Sequence, residues 1–324
     1  MLTTLALSSY FICTSQSKQI IKNLVFEGAG IRGIAYCGVV QELESRNMLD
    51  SIEKVGGTSS GAITALAISL GYHGNEIETL VGKLNFKKLN DGNFFFIGGI
   101  NRMKKYFGWY RGLKFEEWLE NVIKQKTGDA NITFEELHLK GFKDLYVTGT
   151  CLNKQEVFIF SHETYPKMKV KDAVRISMSI PLYFEAVFID KDGQLIRRPK
   201  NKQGLDIMVD GGFTGNFPIR MFDSMTNANF STLGFRIDSD EQIENDLGDK
   251  RLAQVPITNF NDYMRAFYNM VIENLNRQPL TAEDWQRTIS ISDGDLSPKI
   301  RKLSSGEIGI LINNGRHAVK TYLN

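Results

Sequence analysis

Two strand-turn-helix units follow one another near the start of this chain, and each turns on glycine. In the first, Asn23-Leu24-Val25-Phe26 runs into Gly28-Ala29-Gly30-Ile31-Arg32-Gly33, after which Ile34, Cys37, Val40 and Leu43 recur on one helical face. In the second, Ile52-Glu53-Lys54-Val55 leads into Gly57-Thr58-Ser59-Ser60-Gly61, and the apolar run 62–68 reads as a buried helix. A helical crossover returns the chain to the sheet in its original direction, so successive units of this kind force parallel strands. A parallel sheet must be covered on both faces. The expected fold is therefore a three-layer α/β/α unit around a central, mainly parallel sheet. Gly38, inside the first helix, marks a close approach to a neighbouring element.

Further strands are expected at 145–150 and 157–161, joined as a hairpin, and at 206–209, 231–237 and 288–292. Helices are expected at 115–125, 260–276 and 304–322, with Gly98-Gly99 and the polar run 238–250 as loops. No repeat and no low-complexity linker divides the 324 residues. Residues 1–23 read as an N-terminal segment, either disordered or a weak signal peptide. Against secretion, no Lys or Arg precedes the apolar stretch Leu2 to Ile12, so a cytoplasmic or peripheral membrane location is expected. No run reaches the length of apolar sequence that spans a bilayer.

The charges, 39 Lys+Arg against 37 Asp+Glu, leave a formal +2, and no global field directs the chain to nucleic acid. Cys13, Cys37 and Cys151 are odd in number and far apart, which excludes a disulfide framework and a zinc site of the CxxC kind. No ligand cluster calls for a metal, and no cofactor is expected.

The chemistry lies in the turns. In a Gly-x-Ser-x-Gly turn between strand and helix, the flanking glycines remove side chains that would clash, so Ser59 is presented as a nucleophile. The following helix N-terminus offers N–H groups and a positive dipole end to a developing oxyanion. A serine needs a base. The histidines are His73, His138, His162 and His317, and Ser59, Asp210 and His317 stand in the chain order of an α/β-hydrolase triad. Such folds place several strands before the nucleophile, so the short stretch ahead of Ser59 counts against the triad and leaves it as the alternative. The first turn also satisfies the G-x-G-x-x-G dinucleotide fingerprint, with Asp50 or Glu53 as the ribose acceptor. A second glycine turn presenting a serine has no task in a nucleotide site. In a hydrolase, Gly28, Ala29, Gly30 and Gly33 would form an oxyanion hole, with Arg32 adding positive potential. Val209-Asp210-Gly211-Gly212 is a third glycine turn, one whose carboxylate can approach another turn without obstruction.

Together, Glu27-Gly28-Ala29-Gly30-Ile31-Arg32-Gly33, Gly57-Thr58-Ser59-Ser60-Gly61 and Asp210-Gly211-Gly212 resemble the patatin-like phospholipase family in content, order and spacing. Ser179-Ile180-Pro181-Leu182-Tyr183-Phe184 looks like that family's small-residue and proline segment. The resemblance covers 24–223 and leaves 224–324 as a C-terminal helical extension or lid, expected to pack on the same core. It implies a Ser59-Asp210 dyad without histidine, which would cleave fatty-acyl esters of phospholipids or other glycerolipids. A silent lipid-binding module of the same fold is the other reading. Aspartate is a feeble base in water, with a pKa of about 3.9, so the site must be dry. The sequence departs from the family at Ala29, where glycine is common, and at Glu27. A methyl at 29 is tolerable only with a negative φ.

Between Phe94 and Phe115, eight aromatics alternate with Arg102, Lys104, Lys105, Arg111 and Lys114. Such a stretch suits either the wall of an acyl pocket or contact with an anionic bilayer. Its basic residues lack the density of a nucleic-acid footprint.

Overall fold

The computed structural model describes residues 20–82, 90–92, 95–248, 280–296 and 302–324, with isolated positions between 252 and 270. The strands in chain order are β1 (Asn23–Phe26), β2 (Lys54–Gly57), β3 (Gly108–Tyr110), β4 (Asp144–Cys151) and β5 (Glu156–Phe160), then β6 (Leu182–Phe184), β7 (Val187–Ile189), β8 (Asp206–Asp210), β9 (Thr232–Asp238) and β10 (Thr288–Ser292). One sheet runs β10-β9-β1-β2-β4-β8-β7, with β5 also paired to β4, while β3 and β6 form a small parallel pair apart. From β10 to β4 every pairing is parallel, and β5, β7 and β8 are antiparallel additions. All four residues of β1 and all seven of β9 are buried, as expected of strands covered on both faces.

Two helices set the layers. Helix Ser60–Ser69 is buried along its whole length, and helix Ala35–Ser45 buries Cys37, Val40 and Leu43. The close approach expected at Gly38 is to the C-terminal helix Ser305–Leu323. A Cβ at Gly38 would run into the carbonyl oxygen of Ile312, and one at Gly315 into that of Ala35. The two backbones therefore touch through paired glycines. Residues beyond 223 thus supply β9, β10 and this helix to the common core.

Several expectations are corrected. The second strand starts at Lys54, not Ile52, and takes in both glycines, because Gly56 and Gly57 pair with Val25 and Phe26. Gly98 and Gly99 lie in helix Phe95–Tyr106 rather than a loop, since the missing side chain at 99 makes room for the Trp109 indole, 2.6 Å from where a Cβ would sit. The polar run after Asp238 holds helix Asp240–Leu247, started by Ser239 Oγ accepting the Gln242 N–H at 3.3 Å. The helix expected at 260–276 lies outside the described residues apart from isolated positions.

Register fixes where the loops meet. Gly57 stands opposite Val147, and Gly149, two residues further along β4, stands opposite Asp210. Because β8 runs against β4, its last residue arrives at the level just beyond the end of β2. That is where Ser59 lies.

Candidate active site

Ser59 joins β2 to helix Ser60–Ser69 with φ 53° and ψ −121°. This is a sparsely populated region for a residue with a Cβ, costing roughly 1–3 kcal/mol. The surroundings enforce it. A Cβ at Gly57 would lie 2.5 Å from the Gly61 carbonyl, and one at Gly61 would strike the Phe26 carbonyl oxygen. The Ser59 N–H donates to Ser177 Oγ at 2.8 Å, and Thr58 Oγ1 donates to the Gly215 carbonyl at 2.7 Å. The hydroxyl is thereby aimed out of the turn at the positive end of a helix.

Ser59 Oγ donates to Asp210 Oδ2 at 2.9 Å, and the Gly212 N–H donates to Asp210 Oδ1 at 2.8 Å. Both side chains are buried, at 7% and 6% residual exposure. Burial pushes the Asp210 carboxyl up to about 7, against the opposing pull of the Gly212 N–H and the Ser59 hydroxyl. The Asp210 N–H donates to the Ser179 carbonyl at 2.9 Å, so the end of helix Val170–Ser177 and the residues just after it hold both members of the pair. Met178 Sδ lies 3.5 Å from Ser59 Oγ and closes the other side. Gly211 is needed because a Cβ there would collide with Thr148 Oγ1.

The first glycine turn lies alongside. The Gly28 N–H donates to the Asn216 carbonyl at 3.0 Å, and the Ala29 N–H donates to Ser60 Oγ at 3.0 Å. Gly33 packs directly on Ser60, where a Cβ would come within 2.7 Å of its Oγ. Gly30, with φ +56°, is exposed and has open space where a side chain would project. Ala29 takes φ −131°, so its methyl is accommodated. Arg32 is spoken for: its Nη1 pairs with Asp293 Oδ2 at 2.8 Å. Glu27 is buried as a brace, pairing with Arg236 at 3.1 Å and accepting from Asn216 Nδ2 at 3.2 Å.

The nine glycines and acids of the three motifs thus converge with Ser59, while the histidines do not. His73 bonds Glu44, and His138 and His162 stack face to face at 4.1 Å beside Asp144, at the far end of β4. His317 is exposed on the C-terminal helix. The nucleotide reading also loses its ribose acceptor. Asp50, in the turn Leu49–Ser51, and Glu53, paired with Lys22 at 2.8 Å, both precede β2, at the opposite end of the strand from the glycine turn. Sequence reading missed Ser177, Ser60 Oγ and Asn216. Ordinary polar residues carry no local signal, and only the register shows that they hold the turns in place.

Fold and site together define an α/β protein whose covered, mainly parallel sheet brings a serine and an aspartate into hydrogen bond at its strand ends. The model of the patatin-like phospholipase family matches residues 24–223. The chain belongs to that family. Among its relatives, the uncharacterized protein R571 of Acanthamoeba polyphaga mimivirus is 31% identical over 250 residues, 76% of this chain and 75% of that protein. The probable lipid hydrolase 463L of Invertebrate iridescent virus 6 is 28% identical over 204 residues, 61% of this chain and 62% of that protein. VipD from Legionella pneumophila shares the fold, with a TM-score of 0.58 at 16% identity over 94% of this chain and 67% of that one.

Proposed function

We propose that the protein hydrolyses fatty-acyl esters of phospholipids or other glycerolipids, with Ser59 as nucleophile and Asp210 as its base. The observation that carries this reading is the 2.9 Å bond from Ser59 Oγ to a buried carboxylate whose pKa has risen to about 7. A base near neutrality can accept a proton in the transition state and return it afterwards.

As Ser59 Oγ adds to the ester carbonyl carbon, its proton passes to Asp210 Oδ2. The oxyanion meets the start of helix Ser60–Ser69 and the glycine turn, where Gly30 is the open member. The carbonyl re-forms, and the alcohol or lysolipid leaves with the proton from Asp210. Water then gives a proton to Asp210 and attacks the acyl-enzyme. Ser59 departs with that proton, and a free fatty acid is released. A narrow cleft beside the turn, lined by Ile31, Ile34, Ile63, Val81 and Leu303, offers the acyl chain an apolar wall. The side chains of Phe94, Phe95 and Phe96 lie outside the described residues; contact with a bilayer through the rest of the stretch to Phe115 is supported by exposed Ile100, Phe107 and Leu113 beside Lys104, Lys105 and Lys114.

Fatty-acid release from mixed phospholipid substrate should vanish in Ser59→Ala and Asp210→Asn and persist in His317→Ala. Equal release by wild type and Ser59→Ala would sink the reading, and loss in His317→Ala would restore the triad.

A further inference from the structure

Away from Ser59, a cavity of about 230 Å³ opens between helix Leu113–Thr127, helix Val170–Ser177 and the chain flanking β7. Its lining includes four arginines, Arg111, Arg175, Arg197 and Arg198, against two carboxylates, Glu116 and Glu185. Each carboxylate is already taken. Glu116 pairs with Arg197 at 2.6 Å, and Glu185 with Arg198 at 2.7 Å. Among the described residues, Arg111 has no carboxylate within ion-pair distance, and Arg175 reaches only the Glu116 that Arg197 already holds, at 3.8 Å.

Arg175 is 2% exposed and is held chiefly by neutral groups: Ser179 Oγ at 2.5 Å and the Arg111 carbonyl at 2.9 Å. Its Nε has no hydrogen-bond partner, and the nearest carboxylate oxygen, on Glu116, is 3.8 Å away. Arg111 Nε is likewise buried without a partner. Charges just outside the lining, Arg102, Lys169 and Lys171 against Asp91, Glu120 and Asp172, cancel in number. Lys202 Nζ sits 5.8 Å from the ring of Phe188, a lining residue, and adds a further cation. Buried positive charge without a counter-ion is costly, and guanidinium forks match phosphoryl oxygens in geometry.

We propose that this cavity binds a phosphate group, carried either by a lipid headgroup or by a free phosphate, at a site separate from the Ser59 centre. Arg111 and Arg175 supply the charge-assisted bonds, and Lys202 adds long-range attraction. The site is wired to the catalytic pair through one residue. Arg175 donates to Ser179 Oγ, and the Ser179 carbonyl holds the Asp210 N–H. This proposal stands independently of the chemistry at Ser59.

The test is titration calorimetry of the full chain carrying Ser59→Ala, so that turnover cannot interfere. The titrants are inorganic phosphate, phosphatidylcholine vesicles, and the same vesicles with phosphatidic acid. Arg111→Gln is the diagnostic variant because Arg111 is only part-buried and, among the described residues, has no ion-pair partner to strand. Binding of phosphate weakened about tenfold or more by Arg111→Gln supports a free phosphate, by the usual worth of a charge-assisted bond. Binding confined to phosphatidic acid vesicles, and weakened likewise, supports the headgroup. No binding of either probe, or binding that Arg111→Gln leaves unchanged, overturns the proposal. Should Arg111→Gln fail to fold, Lys202→Gln carries the same comparison, with a smaller expected loss of about threefold.

Discussion

Replacing Asp210 by Asn should abolish turnover and at the same time make the protein more stable, by an amount that depends on pH. The carboxyl rises from an ordinary 3.8 to about 7 in the folded protein. At about 1.4 kcal/mol per pKa unit, this is about 4 kcal/mol in favour of the neutral form. The folded state therefore holds the proton more tightly than the unfolded chain does. Between pH 4 and 7 the native protein binds more protons, so stability is full below about pH 4 and falls as pH rises through about 7. Asn keeps the shape and can still accept the Gly212 N–H while its amide faces Ser59, but it carries no charge to bury. Urea unfolding of wild type and Asp210→Asn at pH 4, 5.5, 7 and 8 measures the difference. The variant should gain little at pH 4, about half the effect at pH 5.5, and up to about 4 kcal/mol at pH 8. A stability difference that does not change between pH 4 and 8 would show that Asp210 is not a desolvated carboxyl, and the argument for its role as base would fall with it.

The same group sets the rate profile: kcat/KM on a soluble ester should rise about tenfold per pH unit up to near 7 and then level, and a flat profile from pH 5 to 8 would contradict the assignment. Gly315→Ala should lower stability by roughly 1–3 kcal/mol, because overpacking against the Ala35 carbonyl outweighs the gain of up to about 1 kcal/mol in helix propensity; a raised melting temperature would show that the helices are not in backbone contact. Asp284 is buried, which pushes its carboxyl up, but bonds from Arg220, the Thr281 N–H and Arg287 hold it down at about 2. Its contribution is present above pH 4 and is lost as pH falls through 2, so Asp284→Asn should cost about 2 kcal/mol at pH 7 and much less at pH 2, as read by denaturant titration.

Much of the fold was legible because periodicity is local. The helix through Cys37, Val40 and Leu43 and the buried run after Gly61 announce two covered layers, and the glycines at 57 and 61 announce a turn that tolerates no side chain. What local patterning hides is also local. Gly98-Gly99 reads as a loop because the Trp109 ring that fills the space beside Gly99 comes from a later element. The run after Asp238 reads as a loop because its polarity conceals the cap at Ser239.

By itself, the sequence determined that the chain forms a parallel α/β sheet and that Ser59 is presented at a glycine turn. Both follow from spacing within a few residues. Only the tertiary structure brought the two side chains together. Asp210 lies far along the chain, and it reaches Ser59 because β8 runs against β4 and ends opposite Gly149. Its basicity is likewise not a property of aspartate in isolation, since desolvation by the packed sheet ends and the segment Ser177–Ser179 lifts the carboxyl to about 7.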